Sequence, residues 1–458
     1  MRACSKFLFK SNNFLNLKRF LCTVAKCKFD VALVESTNEA LEAGRYKHRH
    51  HEGRVSSGCI SVPDSIVSAI VKSCKDYPLK ALTTEGSKLD SIIRTRKAPL
   101  EQDELRKRIN KVRQDVGQEF YSKMNVEAMT EEQTEHLSKV IDAQSMKRAK
   151  QKIYAWKPIN YDEFKGLQYL LGRSATEYAV LTQIFDEIRK RVPEFKPRSF
   201  LDFGSGVGTG TWAAANLWRE HIFEYVCIDA SAEMNDLAEL IIRGGESNRN
   251  MSLRNIFYRQ FLPASQNTKY DLVLSAFSLF ELPTKKTRLD VVENLWNKCD
   301  GFLVLVEHGS SAGFSLIDEA RQFLTNKNDS SDCEYHIFSP CPHSHQCPRV
   351  SLADGTPCNF EVTYNQLPLG NSTEASKYLY SYVVFRKGAA SAQQDKYPRI
   401  VRPTLVRSKH SICRMCTAEG DLQEVIFTAS KHGKNLYRCA RASKWGDQLP
   451  ITIGKKAL

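Results

Sequence analysis

Ser199-Phe200-Leu201-Asp202-Phe203-Gly204-Ser205-Gly206-Val207-Gly208-Thr209-Gly210 decides the fold. Its first five residues have the pattern of a buried strand and run straight into a glycine-rich turn. A helical pattern through Trp212, Leu217 and Trp218 follows. Such a turn lets the backbone approach a cofactor closely, at the start of a helix whose free amides face the ligand. NAD, FAD and S-adenosylmethionine all use turns of this kind. The glycines here are spaced G-x-G-x-G, at Gly204, Gly206 and Gly208, whereas dinucleotide sites end in G-x-x-G to admit a pyrophosphate. An acid just before the first glycine, Asp202, suits the ammonium of a methionine moiety. Asp229 closes the next strand, where a carboxylate can accept both ribose hydroxyls. Asp202, Gly204, Ser205, Gly206, Gly208 and Asp229 are therefore the candidate cofactor-binding residues. S-adenosylmethionine is favoured over a dinucleotide, and a glycine turn without a ligand is the plain alternative.

Around this turn, Tyr225 to Asp229, Asp271 to Ser275 and Phe302 to Glu307 supply further apolar strands with helical stretches between them. Strands alternating with helices predict an α/β fold with a parallel, doubly wound sheet that binds ligands at the carboxyl ends of its strands. Asn359 to Tyr364 and Tyr378 to Arg386 would finish that sheet as an antiparallel pair. Upstream, Leu105, Ile109, Val112, Val116 and Phe120 recur at helical spacing. A second helical stretch from Glu131 to Tyr154 ends in Lys147, Arg148, Lys150 and Lys152, a basic arm for RNA or simply a solvated face. The run Lys47-His48-Arg49-His50-His51 reads as a cationic loop rather than a metal tract.

The chain has 458 residues and a formal charge of +14, enough length for a full core and two or three structural units. Residues 1–29 supply half of that charge through Arg2, Lys6, Lys10, Lys18, Arg19, Lys26 and Lys28, with no acid. Phe7, Leu8, Phe14, Leu15 and Phe20 intervene, which is the composition of a mitochondrial transit peptide rather than a secretory signal. No run approaches the ~18 apolar residues that span a bilayer, so the expectation is a matrix protein without membrane insertion. The expected division is 1–29 transit peptide, 30–155 helical N-terminal region, 156–388 sheet domain with a cysteine-bearing insertion at about 332–358, and 389–458 C-terminal extension.

Methyl transfer to nitrogen usually employs an Asn/Asp-Pro-Pro-aromatic turn after the fourth strand, and transfer to carbon a nucleophilic cysteine. The turn here, Ser275 to Pro283, offers neither. Phe277 and Phe280 are candidates to stack on a base or to fill core. No catalytic residue is assigned.

Fourteen cysteines are too dispersed for a disulfide scaffold in a chain with its own core. Seven of them, Cys333, Cys341, Cys347, Cys358, Cys413, Cys416 and Cys439, fall in the last third. Cys341-Pro342-His343-Ser344-His345-Gln346-Cys347-Pro348, then Cys358, then Cys413-Arg414-Met415-Cys416 space their thiols more loosely than a zinc ribbon does. Four thiolates from separated segments suit an iron–sulfur cluster, with the fourth drawn from Cys413 or Cys416. Zinc helped by His343 or His345 is the rival, and unligated structural cysteines the plain reading.

Leu201 to Gly210, Val306-Glu307-His308-Gly309, the Cys341 to Pro348 segment, and Leu436 to Arg441 with Trp445-Gly446-Asp447 together resemble a known family. It is the methyltransferase-like-seventeen family of mitochondrial small-ribosomal-subunit assembly proteins, and the resemblance spans about Ala155 to Leu449. The resemblance implies a class I S-adenosylmethionine-dependent methyltransferase-like (Rossmann-like) fold. It also implies action in assembling the mitochondrial small subunit, bound to its rRNA, and a 4Fe-4S cluster. By motif matching the cluster ligands are Cys341, Cys347, Cys358 and Cys416, with Cys413 as the alternative fourth. The interval from Cys347 to Cys358 is longer than the family pattern. The expected protein is a monomer outside the ribosomal particle and a weak or inactive transferase. An active methyltransferase on mitochondrial small-subunit rRNA is the alternative.

Overall fold

The computed structural model describes residues 29–455, except 124–128, 153–155, 266, 329–333, 370–374 and 391. The transit-peptide expectation thus lies outside the described residues apart from Phe29, as does Cys333.

The quoted stretch becomes β2 (Ser199–Phe203) and α7 (Thr209–Trp218), joined by the glycine turn. Around β2 stand β3 (Glu224–Ile228), β4 (Ile256–Arg259), β5 (Tyr270–Ala276) and β6 (Cys299–His308). Beyond them come β7 (Tyr335–Ser339), β8 (Phe360–Asn365) and β9 (Ala375–Lys387). The order is β4-β3-β2-β5-β6-β9-β7, with β8 paired to β9. The first five strands are parallel, and β9 runs antiparallel to β6. Strands running one way, with the chain order reversing at β2 and the antiparallel β9 inserted between β6 and β7, form the class I methyltransferase-like arrangement. Both faces are covered, which is why β5 and β6 are almost wholly apolar rather than alternating. The expected antiparallel pair is present as β8 and β9. Sequence reading missed two short strands. β4 alternates exposed and buried residues at the sheet edge, and β7 is hidden in front of the cysteine segment. With β7 in the sheet, the cysteine loop proper runs from 340 to 359.

On one face lie α6 (Glu163–Arg191), α7 and α8 (Ala232–Ile242), and on the other α9 (Lys285–Asn297) and α10 (Ser311–Asn328). α6 starts at Asp162, whose side chain accepts the Lys165 amide at 2.8 Å. It buries Leu170, Ala179, Phe185 and Ile188 against Phe200 and Val304. Each such large side chain contributes about 1.5–3 kcal/mol of burial.

The N-terminal region holds β1 (Phe29–Leu33) and α1 (Glu35–Glu42), then α2 (Asp64–Ser73) and α3 (Leu79–Thr95). A helical hairpin of α4 (Gln102–Tyr121) and α5 (Glu131–Lys152) follows. The helical expectation is met except at β1, whose partner lies at the far end of the chain. The hairpin closes on Val116, Leu137 and Ile141. α3 crosses α6 backbone to backbone: a Cβ on Gly172 would stand 2.3 Å from the Gly86 carbonyl oxygen. That contact needs glycine on both helices.

In the cysteine loop lies the short α11 (Pro348–Ser351). The extension folds as β10 (Arg399–Ile400), β11 (Leu405–Val406), β12 (His410–Cys416) and β13 (Leu422–Thr428), with β12 central. Then come α12 (Ala429–His432), α13 (Lys434–Ala442) and β14 (Ile451–Lys455). β14 pairs antiparallel with β1, from Phe29↔Lys455 to Leu33↔Ile451. A separate core of Ile400, Met415, Phe427, Leu436, Leu449 and Ile451 receives Val31 and Leu33.

Candidate functional site

Gly204, Gly206 and Gly208 have φ of 71°, 53° and 90°, values that L side chains rarely adopt. The turn is fixed by hydrogen bonds: the Gly204 and Ser205 amides donate to the Ile228 carbonyl at 2.7 and 2.9 Å. The Gly206 amide donates to Asp229 Oδ2 at 2.9 Å and the Ser231 amide to Asp229 Oδ1 at 3.0 Å. Asp229 therefore pins the glycine turn to the start of α8, and each oxygen keeps a second lone pair for a hydroxyl. Burial raises its pKa above the usual carboxylate range, opposed by those two amides.

Asp202 is fully buried behind the turn. Burial first, then the Asp229 and Glu177 charges, push its pKa up to about 8. Its Oδ2 and the Ser205 hydroxyl are buried without a partner. A buried carboxylate lacking a donor is what an ammonium would satisfy, so the chemistry of the turn fits S-adenosylmethionine. The space does not stand open. The cavity lined by Tyr169, Glu177, Asp202, Gly204, Ser205 and Thr209 measures about 10 Å³, whereas a small-molecule pocket needs about 300 Å³ or more.

Two features close it. Tyr169 and Arg173 of α6 lean over the turn: both bond to Glu177, whose other oxygen accepts from Thr209 at 3.3 Å. The segment Trp156–Tyr161 lies across the carboxyl ends of the strands. Trp156 Nε1 donates to the Phe280 carbonyl beyond β5 at 3.0 Å, and Ser231 Oγ beyond β3 donates to the Tyr161 carbonyl at 2.9 Å. Between these anchors, the Ile159 amide donates to Glu281 at 3.4 Å and Arg96 donates to the Lys157 carbonyl at 2.9 Å while pairing with Glu281. The sheet order β3-β2-β5 means that this strap spans the glycine turn.

At the end of β5, Phe277 adopts a left-handed φ of 56°, a conformation costing about 1–3 kcal/mol. Its ring lies 5.1 Å from His308 and 5.0 Å beneath the Arg173 guanidinium. His308 Nδ1 is hydrogen-bonded to the Tyr378 hydroxyl. Burial, then the charges of Arg173, Arg94 and Arg96, hold His308 far below its usual pKa and therefore neutral. Glu307 accepts the Leu279 amide at 2.8 Å, leaves Oε2 unpartnered, and is raised to about 8 by burial. Phe280 is core. Sequence reading gave Glu307 and His308 no role. The available signal was the abrupt polarity of Glu307-His308 at the end of a buried apolar strand.

The cysteines assemble. Cys341, Cys347, Cys358 and Cys416 line one cavity with Arg349, Arg402 and Phe360, and no cysteine among the described residues forms a disulfide. Burial, then the neighbouring Cys341, pushes Cys347 up to about 11; burial, Cys341 and Cys347 likewise raise Cys358 and Cys416. Thiols raised in this way, as Cys347, Cys358 and Cys416 are, stay protonated unless a positive centre holds them as thiolates. Arg321 hydrogen-bonds Cys341 and fixes the loop through the His343 and His345 carbonyls at 3.1 and 2.7 Å. His343 Nε2 lies 3.3 Å from Cys416 Sγ. Among the described residues no three His, Cys, Asp or Glu side chains close on a single ion position. Cys413 points away, buried beside the Ala440 carbonyl at 3.7 Å. Three residues apart on a strand, Cys413 and Cys416 face opposite sides.

A family described as mitochondrial small ribosomal subunit Rsm22 matches residues 164–450. The human ribosome assembly protein METTL17, mitochondrial, is 33% identical over 407 residues, 88% of this chain and 86% of that protein. Rsm22-cox11 tandem protein 2 of Schizosaccharomyces pombe is 30% identical over 320 residues, 60% of this chain and 41% of its own length. Among solved structures, the plantazolicin methyltransferase BpumL in complex with SAH aligns with a TM-score of 0.30 and 16% identity. That alignment covers 47% of this chain and 85% of that one.

Proposed function

From the chain's membership of the Rsm22 family of mitochondrial small ribosomal subunit proteins, we propose that it is an assembly factor for that subunit. In this reading it acts in the matrix and binds subunit rRNA as a monomer. Its methyltransferase-like fold takes up S-adenosylmethionine when the Trp156–Tyr161 strap opens, and a 4Fe-4S cluster is held by Cys341, Cys347, Cys358 and Cys416. Catalysis is weak or absent. Among the described residues no helix is long and apolar enough to cross a membrane.

One observation carries the scaffold reading: the cofactor end of the sheet is shut. The cavity at the glycine turn is about 10 Å³, and the turn after β5 has no thiol, while its carboxylate, Glu281, is held by Arg96 and the Ile159 amide. Asp202, Ser205 and Asp229 would hold the cofactor's ammonium and ribose. The cluster, when bound, supplies a positive centre that joins the cysteine loop to β12. Four thiols drawn from separate segments to one cavity suit a cluster, whose sulfides span more space than a zinc ion.

The test has two arms. Anaerobically purified protein should contain about four iron and four sulfide per chain and little zinc, and should co-sediment with immature small subunits. Zinc without sulfide overturns the cluster, and absence from small-subunit fractions overturns the assembly reading. An active transferase acting on small-subunit rRNA is the second reading. It is favoured by the neutral His308 imidazole beside Phe277, and it requires that Asp229→Ala erase an rRNA methyl mark.

A further inference from the structure

The positive charge of the folded chain sits in its C-terminal extension. Residues 389–458 hold 13 Lys and Arg against five Asp and Glu, while residues 30–388 hold 46 against 47. The acids of the extension are partly consumed: Asp395 pairs with Arg191, Asp447 with Arg54, and Glu424 with Arg414. Arg407, Lys409, Lys434, Arg438 and Arg441 are exposed and take part in none of the ion pairs among the described residues.

Their placement is ordered. On α13, Lys434, Arg438 and Arg441 stand at i, i+4 and i+7, a single stripe about 10 Å long. Leu436, Cys439 and Ala440 form the opposite, buried stripe. Arg441 donates to the Arg407 carbonyl and, at 3.1 Å, to the Tyr437 hydroxyl, which brings the β11–β12 turn beside the helix. Arg407 and Lys409 thus extend the stripe sideways, and the half-buried Tyr437 ring lies within it. By contrast, the basic end of α5, read from sequence as a possible RNA arm, has its Arg148 paired to Glu119 of α4 at 2.6 Å.

We infer that this face of α13 and the β11–β12 turn is the surface that docks the phosphodiester backbone of structured RNA. The inference rests on the assembly-factor reading and names the surface it uses. Three exposed cations along about 10 Å of one helix, with Arg407 and Lys409 beside them on the β11–β12 turn, match successive phosphates of a backbone. The contact recognises backbone and carries no base code.

The test uses the full chain and a fluorescent RNA hairpin, titrated by anisotropy at several salt concentrations. Lys409→Glu, Lys434→Glu and Arg438→Glu are combined, since no hydrogen bond among the described residues uses those three side chains. Binding should weaken about tenfold or more, and the slope of log affinity against log salt should fall by about 2–3. The thermal midpoint by circular dichroism should be unchanged. Lys147→Glu with Lys150→Glu on α5 should bind as the parent does. Unaltered affinity and slope in the triple variant overturn the inference, as does an equal loss in the α5 variant. Loss of small-subunit co-sedimentation with RNA binding retained also overturns it, placing a protein partner on this face. A parent chain that binds no RNA overturns it as well, while parental co-sedimentation tests the assembly reading separately.

Discussion

Glu187 of α6 is 2% exposed and accepts from Arg399 of the extension at 2.6 Å, from Arg191 at 2.8 Å and from the Ser339 hydroxyl at 3.0 Å. Burial alone would raise its pKa, but Arg399 and Arg191 outweigh it and hold the carboxyl below its usual range. Removing one member of such a buried network leaves uncompensated charge, so Glu187→Gln should cost about 3–5 kcal/mol near neutral pH. The pH dependence follows from the depressed value. The contribution is fully present above the unfolded carboxylate range, about 4.3, and is lost as pH falls through the lower folded value. Denaturant melts of parent and variant should therefore differ most near pH 7 and converge on strong acidification. A gap that widens in acid would mean that Glu187 is not the anion of this network.

Among the elements, the Trp156–Tyr161 strap determines whether the glycine turn can be reached. Its anchors include Trp156 to the Phe280 carbonyl, Ser231 to the Tyr161 carbonyl, and Arg96 to the Lys157 carbonyl and Glu281. If the open form is the minor one, apparent affinity is the intrinsic affinity scaled by the open fraction. Trp156→Ala should therefore tighten S-adenosylmethionine binding by about two- to tenfold in calorimetric titration. Weaker binding would show that the indole is part of the site rather than its cover. By strand parity, β12 sends Cys416 to the thiol cavity and Cys413 to the extension's core. The sequence spacing left that choice open.

Across the whole molecule, the two ends of the described chain form one ribbon, β1 with β14, and its apolar residues complete the extension's core. A chain beginning at Glu35 would leave Ile451 and Ile453 uncovered and β14 unpaired. It should lose about 2–4 kcal/mol of local stability, given the buried area of Val31 and Leu33. Limited proteolysis should then cut within 389–455 while the sheet domain persists; a resistant extension would show that β1 is dispensable.

The parallel sheet, the glycine turn and the amphipathic helices are legible in the chain because each is written in local pattern: Leu303 to Val306 continuous, Gly204, Gly206 and Gly208 alternating, Leu105 to Phe120 at helical spacing. The sequence also pointed to the thiols that the fold brings to one cavity, since their density in the last third is a compositional fact. Only tertiary structure decided what those pieces do together. β1 pairs with a strand at the opposite end, the strap shuts the turn, His308 and Glu307 meet Phe277 at the strand ends, and α13 turns its cations outward. The physical reason is the same in each case. Burial, register and charge pairing depend on residues brought close by the fold, and no local period records them.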